Sequence, residues 1–215
     1  MVFEEVPAPE KQETTFAEAV ERYRVVPHTT VTLRDFAPDA TDGLKKSQAR
    51  RLIKRLRGEL NEQQTLLYAT GERALLVILQ GMDTSGKDGV IKRVMRAFNP
   101  QGCQISSFKV PTAEELAHDF LWRVHKQVPG RGMIGVFNRS QYEDVLVVRV
   151  DGLVPEPVWR KRYAAIRDFE ANLSANGVII VKFFLNISKD EQARRLRDRL
   201  ADPTERWKFR TGDLD

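Results

Sequence analysis

Leu52, Ile53, Leu56, Leu60 and Leu67 recur with the 3.6-residue period of a helix, while arginine and lysine fill the positions between them. The pattern predicts a long basic amphipathic helix over about 47–68. Ahead of it, residues 1–43 are rich in Pro, Thr, Glu and Asp and end on the turn sequence Asp39-Ala-Thr-Asp-Gly43, so an irregular arm is expected there. After it the pattern changes to short stretches that read as strands of the buried type: Ala74 to Gln80, Gln104 to Val110, Met133 to Asn138 and Val178 to Leu185. Helical stretches separate or follow them, over 86–98, 112 to about 126, 157 to about 174 and 189–200. Continuous apolar strands alternating with helices require a parallel sheet covered on both faces, an α/β fold of three layers. One domain, residues 44–215, is expected to follow the arm.

Composition narrows the class. Of 215 residues, 41% are hydrophobic and 30% charged, which is ordinary for a soluble globular protein. No apolar run approaches the roughly 20 residues that span a bilayer, and the acidic start Met-Val-Phe-Glu-Glu-Val-Pro lacks a signal-peptide core, so no membrane partner and a cytoplasmic address are expected. The single cysteine, Cys103, excludes an internal disulfide and a cysteine-based zinc cluster, and it reads as a small buried hydrophobe. His118 and His125 lie two turns apart on one predicted helix, too far to share a metal. The net charge of +5 and a pI near 9.4 indicate a polyanionic partner: nucleic acid, acidic lipid or polyphosphate.

The chemistry is concentrated after the first apolar run, in Gly81-Met-Asp-Thr-Ser-Gly86-Lys87. A glycine-rich turn leaving a buried strand and opening a helix gathers backbone N–H groups around one point, and the helix dipole adds positive potential there. Lys87 adds a point charge for outer phosphates, so the run is a P-loop signature in all but its last position, where Asp88 replaces the Ser or Thr that normally holds magnesium. Two carboxylates, Asp83 and Asp88, then flank an anion site and imply Mg²⁺ (or Mn²⁺) between them and the phosphates. The spacing does not fit a dinucleotide fingerprint.

A second constellation follows the strand Met133-Ile-Gly-Val-Phe137, in Asn138-Arg139-Ser140-Gln-Tyr142-Glu143-Asp144. In P-loop folds the neighbouring strand usually ends in an acidic residue that holds the metal. Asn138 fills that place with a neutral amide. Arg139 faces the same cleft, where it would offset charge on a transferring phosphoryl group; the alternative is a strand-end ion pair with Glu143 or Asp144. Near the end, Arg194 to Arg210 packs seven cations into seventeen residues, interrupted by Pro203. A basic helix breaking into a loop suits a lid that closes on phosphate; a solvated charged face is the competing reading.

Together, G-M-D-T-S-G-K-D-G at 81–89, V-F-N-R-S-Q-Y-E-D-V at 136–145 and R-x4-D-P-x3-W-K-F from Arg197 to Phe209 resemble the family-2 polyphosphate kinases, bacterial P-loop enzymes that move phosphoryl groups between inorganic polyphosphate and nucleotides. The resemblance runs from about Val31 to Asp215. It implies a three-layer αβα P-loop kinase fold with a helical lid at about 188–211, and Walker A residues Gly81, Asp83, Gly86 and Lys87. It further implies Arg139 as the Walker B arginine and Arg199 as the lid arginine. The catalytic set would be Asp83, Lys87, Asn138, Arg139 and Arg199, with Asp83 and Asn138 on the metal. Phosphates would meet Gly81, Thr84, Ser85, Gly86, Lys87, Asp88 and Gly89, and Lys92, Arg93, Arg96, Lys109, Arg131 and Lys208 would line a polyphosphate channel. Asp83, Arg139, Tyr142, Glu143, Arg195 and Arg199 would meet the nucleotide. The run Ser140-Gln-Tyr-Glu-Asp144 looks like the class III type, which accepts both AMP and ADP, and so implies ADP and ATP as products, no nucleic-acid partner, and a homo-oligomer, dimer or tetramer.

Two departures from the family pattern carry expectations of their own. The resemblance places Asp where this chain has Asn138, which suggests a disabling exchange and a nearly inactive enzyme. The family is expected to continue past the lid with more helix and a last strand, whereas the sequence stops at Asp215. An ATP-dependent nucleotide kinase of thymidylate-kinase type, or a noncatalytic polyanion- or nucleic-acid-binding module with a degenerate loop, are the rival readings.

Overall fold

The computed structural model describes residue 18 and residues 20–205. It divides into two compact units, residues 1–51 and 52–215. In the first, a helical turn at 20–23 precedes a short 3₁₀ turn at Leu33–Asp35. Arg22 and Tyr23 both donate to the Asp42 carboxylate, at 3.0 and 2.9 Å, and the Tyr23 and Phe36 rings lie 6.1 Å apart.

The boundary falls within helix α1, Lys46–Thr70. Beyond it strands and helices alternate: β1 Ala74–Gly81, α2 Lys87–Val94, β2 Cys103–Ser107, α3 Ala113–Leu116, α4 Trp122–His125, β3 Ile134–Asn138, α5 Glu143–Val150, α6 Glu156–Ala175, β4 Val178–Leu185 and α7 Lys189–Ala201. The four strands are parallel, in the order β2-β3-β1-β4. Alternation along β1 divides the core. Leu76 and Ile78 face one way, with Phe137, toward Val124 of α4 and Phe169 and Leu173 of α6. Leu79, with the half-buried Leu75 and Val77, packs toward Ile91 of α2 and Leu67 of α1. This is the expected three-layer arrangement.

Three elements differ from the sequence reading. The strand expected to reach Val110 ends at Ser107; Phe108 leaves it after donating its N–H to Asn138 O at 3.2 Å. The single helix expected over 112–126 is two short ones. A capping box between Thr112 and Glu115 opens α3, and Asp119 restarts the chain by accepting from Leu121 N on its side chain and Trp122 N on its carbonyl, both at 3.0 Å. Helix α5 was not expected, because Val145, Val147, Val148 and Val150 are poor helix formers; Glu143 and Asp144 in its first turn favour it through the dipole.

A polar seam ties α1 to the chain after α2. Arg57 donates to Arg93 O, Asn61 to Ala97 O, and the buried Gln64 donates to Asn99 O at 2.9 Å while accepting from Asn99 N at 2.7 Å. Gly102 makes room, since a Cβ there would lie 2.6 Å from Gln64 Nε2. Gln64→Leu would remove the partner of the Asn99 N–H and one of the two donors to Asn99 O, and a loss of about 1 kcal/mol is expected in urea unfolding. A change below about 0.5 kcal/mol would mean that the seam contributes nothing.

Candidate active site

The register sets the site. Leu79 of β1 lies beside Asn138 of β3, and Asn138 beside Ser107 of β2, so the loop after β1 and the turn after β3 leave the sheet at the same, carboxyl end, where open α/β sheets bind ligands. Gly81 begins the loop at φ +154°, and a Cβ there would meet Ser85 Oγ at 2.7 Å and Leu185 O at 2.8 Å. Gly86 takes the left-handed conformation at φ +98° as the N-cap of α2. Two residues with side chains, Thr84 at φ +62° and Arg139 at φ +66°, share that region, which non-glycine residues seldom occupy.

Three cations from three elements meet this loop. Lys87 is buried, and its Nζ donates to Gly81 O at 2.7 Å, Met82 O at 3.0 Å and Ser85 Oγ at 3.4 Å. Burial, and then the nearby Arg139 charge, hold its pKa below the ordinary lysine value, against the pull of Asp83, Glu143 and Asp88. Arg139 pairs with Asp83 through Nη2 and with Glu143 through Nη1 at 3.3 Å. Arg195 of α7 donates from Nη1 to Thr84 O at 2.9 Å, while Glu191 accepts from its Nε at 2.7 Å. Hydrogen bonds from Arg194 first, and then from Arg195, hold the Glu191 carboxyl down at about 2.

Asn138 is at this centre. Its Nδ2 donates to Asp88 Oδ1 at 2.8 Å. A carboxylate at 138 would face Asp88 as a second acceptor. The donor set of Asp83, Asp88 and the Asn138 amide oxygen is all hard oxygen. Among the described residues no cluster of three His, Cys, Asp or Glu stands ready to hold a metal, but Mg²⁺ characteristically takes one or two carboxylates and completes its shell with phosphates and water, and these residues fit that pattern.

Other expected site residues divide. Tyr142 stands at the start of α5, but its hydroxyl donates to Glu170 Oε1 at 2.7 Å and accepts from Lys182 at 3.0 Å, so it is engaged within the fold. Asp144 pairs with Arg123 and Arg162 rather than with Arg139. Lys109 follows β2 and is exposed at the carboxyl end. Lys92, Arg93 and Arg96 are exposed on α2 and the turn after it. Arg131 is a correction: it precedes β3, next to Gly132, whose N–H bonds Arg73 O at the start of β1, so it sits at the amino end of the sheet, away from the loop. Of the two α7 arginines, Arg195 makes the loop contact, and Arg199 lies one helical turn further along. Lys208 and the W-K-F run lie outside the described residues. The sequence reading did not single out Gln80, Glu170, Lys182 or Glu191 for the site. Gln80 was detectable as a polar residue ending an apolar strand.

Residues 43–215 match the family model described as Polyphosphate kinase 2. The chain belongs to the polyphosphate kinase 2 family. It is 52% identical over 198 residues to the AMP/ADP-polyphosphate phosphotransferase of Meiothermus ruber, covering 91% of this chain and 74% of that protein. It is 53% identical over 168 residues to the ADP-polyphosphate phosphotransferase of Rhodopseudomonas palustris, covering 73% of this chain and 58% of that one. The solved polyphosphate kinase 2 of Arthrobacter aurescens TC1 superposes with a TM-score of 0.84 at 48% identity, over 91% of this chain and 70% of that one. The P-loop kinase fold inferred from the loop is therefore that of its family. Among the described residues no helix is long and apolar enough to cross a membrane.

Proposed function

We propose that this chain transfers a phosphoryl group from inorganic polyphosphate to AMP and to ADP, giving ADP and ATP. The convergence of Lys87, Arg139 and Arg195 on one glycine loop carries the reading, because three cations drawn from separate elements match a substrate that is phosphate on both the donor and the acceptor side. The names of the relatives at 52% and 53% identity favour polyphosphate over ATP as donor.

In the reaction the bond from the terminal phosphorus of polyphosphate to its bridging oxygen breaks as a new bond forms to a phosphate oxygen of AMP or ADP, and polyphosphate leaves one unit shorter. That acceptor oxygen is largely ionised at neutral pH, so no strong general base is required. Catalysis then rests on position and charge. Loop N–H groups and Lys87 hold the donor phosphates, Arg139 takes up charge on the transferring group, and Arg195 brings α7 over the loop. Asp83 and the Asn138 amide oxygen, with Asp88 nearby, would hold Mg²⁺ or Mn²⁺, which would supply neutralisation of phosphate charge.

Asn138 is a working residue in this reading, steadying Asp88, in place of the expectation of a disabled enzyme. The test is ADP and ATP formation from polyphosphate and AMP with Mg²⁺. The chain as it stands should be active, and Asn138→Asp should be slower by about tenfold, the cost of two facing carboxylates. A gain of orders of magnitude in Asn138→Asp would restore the disabled reading. Transfer from ATP alone would replace polyphosphate as the donor, and no transfer by either form would leave a noncatalytic polyanion-binding module.

A further inference from the structure

Gln80 is the last side chain of β1 before the loop, and the mechanism above does not use it. It is 9% exposed, on a strand otherwise built of aliphatic residues. Its Nε2 donates to Glu143 Oε1 at 3.0 Å, and because a carboxylate only accepts, the amide nitrogen must be the atom turned toward it. Its Oε1 is buried and has no partner among the described residues. An unpaired buried oxygen costs stability, so packing alone would be better served by leucine or methionine at this position.

The bond leads into the site. The other oxygen of Glu143, Oε2, accepts from Arg139 Nη1 at 3.3 Å, and Arg139 Nη2 reaches Asp83 in the loop. The path therefore runs from the end of β1, through the first residue of α5, to the guanidinium after β3, and back to the loop that β1 opens. Arg139 has a long side chain with several rotatable bonds, so its head group is placed by the partners that hold it. Glu143 and Asp83 hold it from two sides. Glu143 is fixed in turn only if its outer oxygen has a donor, and Gln80 is that donor.

We infer that Gln80 is a positioning residue for phosphoryl transfer, holding Glu143, and through it the Arg139 guanidinium, in register with the loop. The inference rests on the activity proposed above. A glutamate at position 80 would set two acceptors face to face, which works only when one takes a proton and becomes a donor. Exchanging the two residues would restore the bridge in reverse: the amide now at position 143 would donate to the carboxylate at position 80 and accept from Arg139.

The experiment is steady-state kinetics of ADP formation from polyphosphate and AMP for the full chain and for Gln80→Met, Gln80→Glu, Glu143→Gln and the double exchange Gln80→Glu with Glu143→Gln. Gln80→Met should lower kcat by about tenfold with little change in KM. Gln80→Glu should be slow in alkaline buffer and recover as the pH falls toward about 6, where a shared proton supplies the missing donor. The double exchange should be faster than either single variant, a coupling that a purely structural role would not produce. An unchanged kcat in Gln80→Met, or a double exchange no better than the singles, would overturn the inference. If Gln80→Met fails to fold, the pH profile and the exchange decide. If the unmodified chain transfers no phosphoryl group, the activity reading fails by itself, and the Arg139 Nε–Hε NMR signal, assigned through Arg139→Lys, tests the positioning. That signal should shift and broaden in Gln80→Met, and an unmoved signal would refute it.

Discussion

Replacing Lys87 by methionine is expected to slow phosphoryl transfer by about a thousandfold while leaving a folded protein. The side chain is buried to 8% exposure and its ammonium rests on the Gly81 and Met82 carbonyls, so it lies directly against the loop. Methionine keeps the length of the stem and removes the charge. It also removes the desolvation that burial imposes on the ammonium, which offsets the hydrogen bonds lost. The same burial predicts a pH dependence. The folded-state pKa lies below the ordinary 10.5, so the folded chain binds fewer protons than the unfolded one between those two values. The contribution of this group to stability is fully present above 10.5 and is lost as the pH falls through the lowered folded value. Stability of the unmodified chain should therefore rise with pH across that alkaline window by more than that of Lys87→Met, as read by urea unfolding. Equal slopes would mean that the ammonium is not desolvated, and retained activity would remove Lys87 from the mechanism.

The loop, the strand order of the sequence and the turn after β3 were legible because each is local. A glycine at Gly81 and another at Gly86 are demanded by backbone conformation and by the close approach of Leu185 O, and a stretch such as Val178–Leu185, apolar but for Lys182, has few other fates. What escaped was set by contacts between distant segments. Helix α5 carries four valines and forms where its first turn meets Arg123 and Arg162 through Asp144, neither of which neighbours it on one element. That Arg195 reaches the Thr84 carbonyl depends on how α7 meets the loop, across 111 positions of sequence. Arg131 was misplaced for a simpler reason: a cation before a strand stands at its amino end, whereas phosphate sites in parallel sheets collect at the carboxyl end. Gln80 and Glu143 lie 63 positions apart and become partners only when β1 and β3 pair.

The second large effect is expected at Arg139. Arg139→Met should reduce transfer by about three orders of magnitude, the scale on which an arginine that meets a transferring phosphoryl group acts. Arg139→Lys should recover little of it. The guanidinium reaches Asp83 with one Nη and Glu143 with the other, a fork that a single ammonium cannot reproduce. Its loss leaves Asp83 and Glu143 without this ion-pair partner beside Lys87, whose pKa Asp83, Glu143 and Asp88 each raise and Arg139 lowers. Removing Arg139 should therefore raise the Lys87 pKa, which titration of the lysine by NMR would register. The two readouts separate two roles. Lost transfer with a raised lysine pKa places Arg139 in the same electrostatic cluster as the loop, as the geometry has it. Lost transfer with an unmoved lysine pKa would mean that Arg139 acts on the substrate alone. Full activity in Arg139→Met would show that the pair with Asp83 is a strand-end ion pair with no part in the reaction.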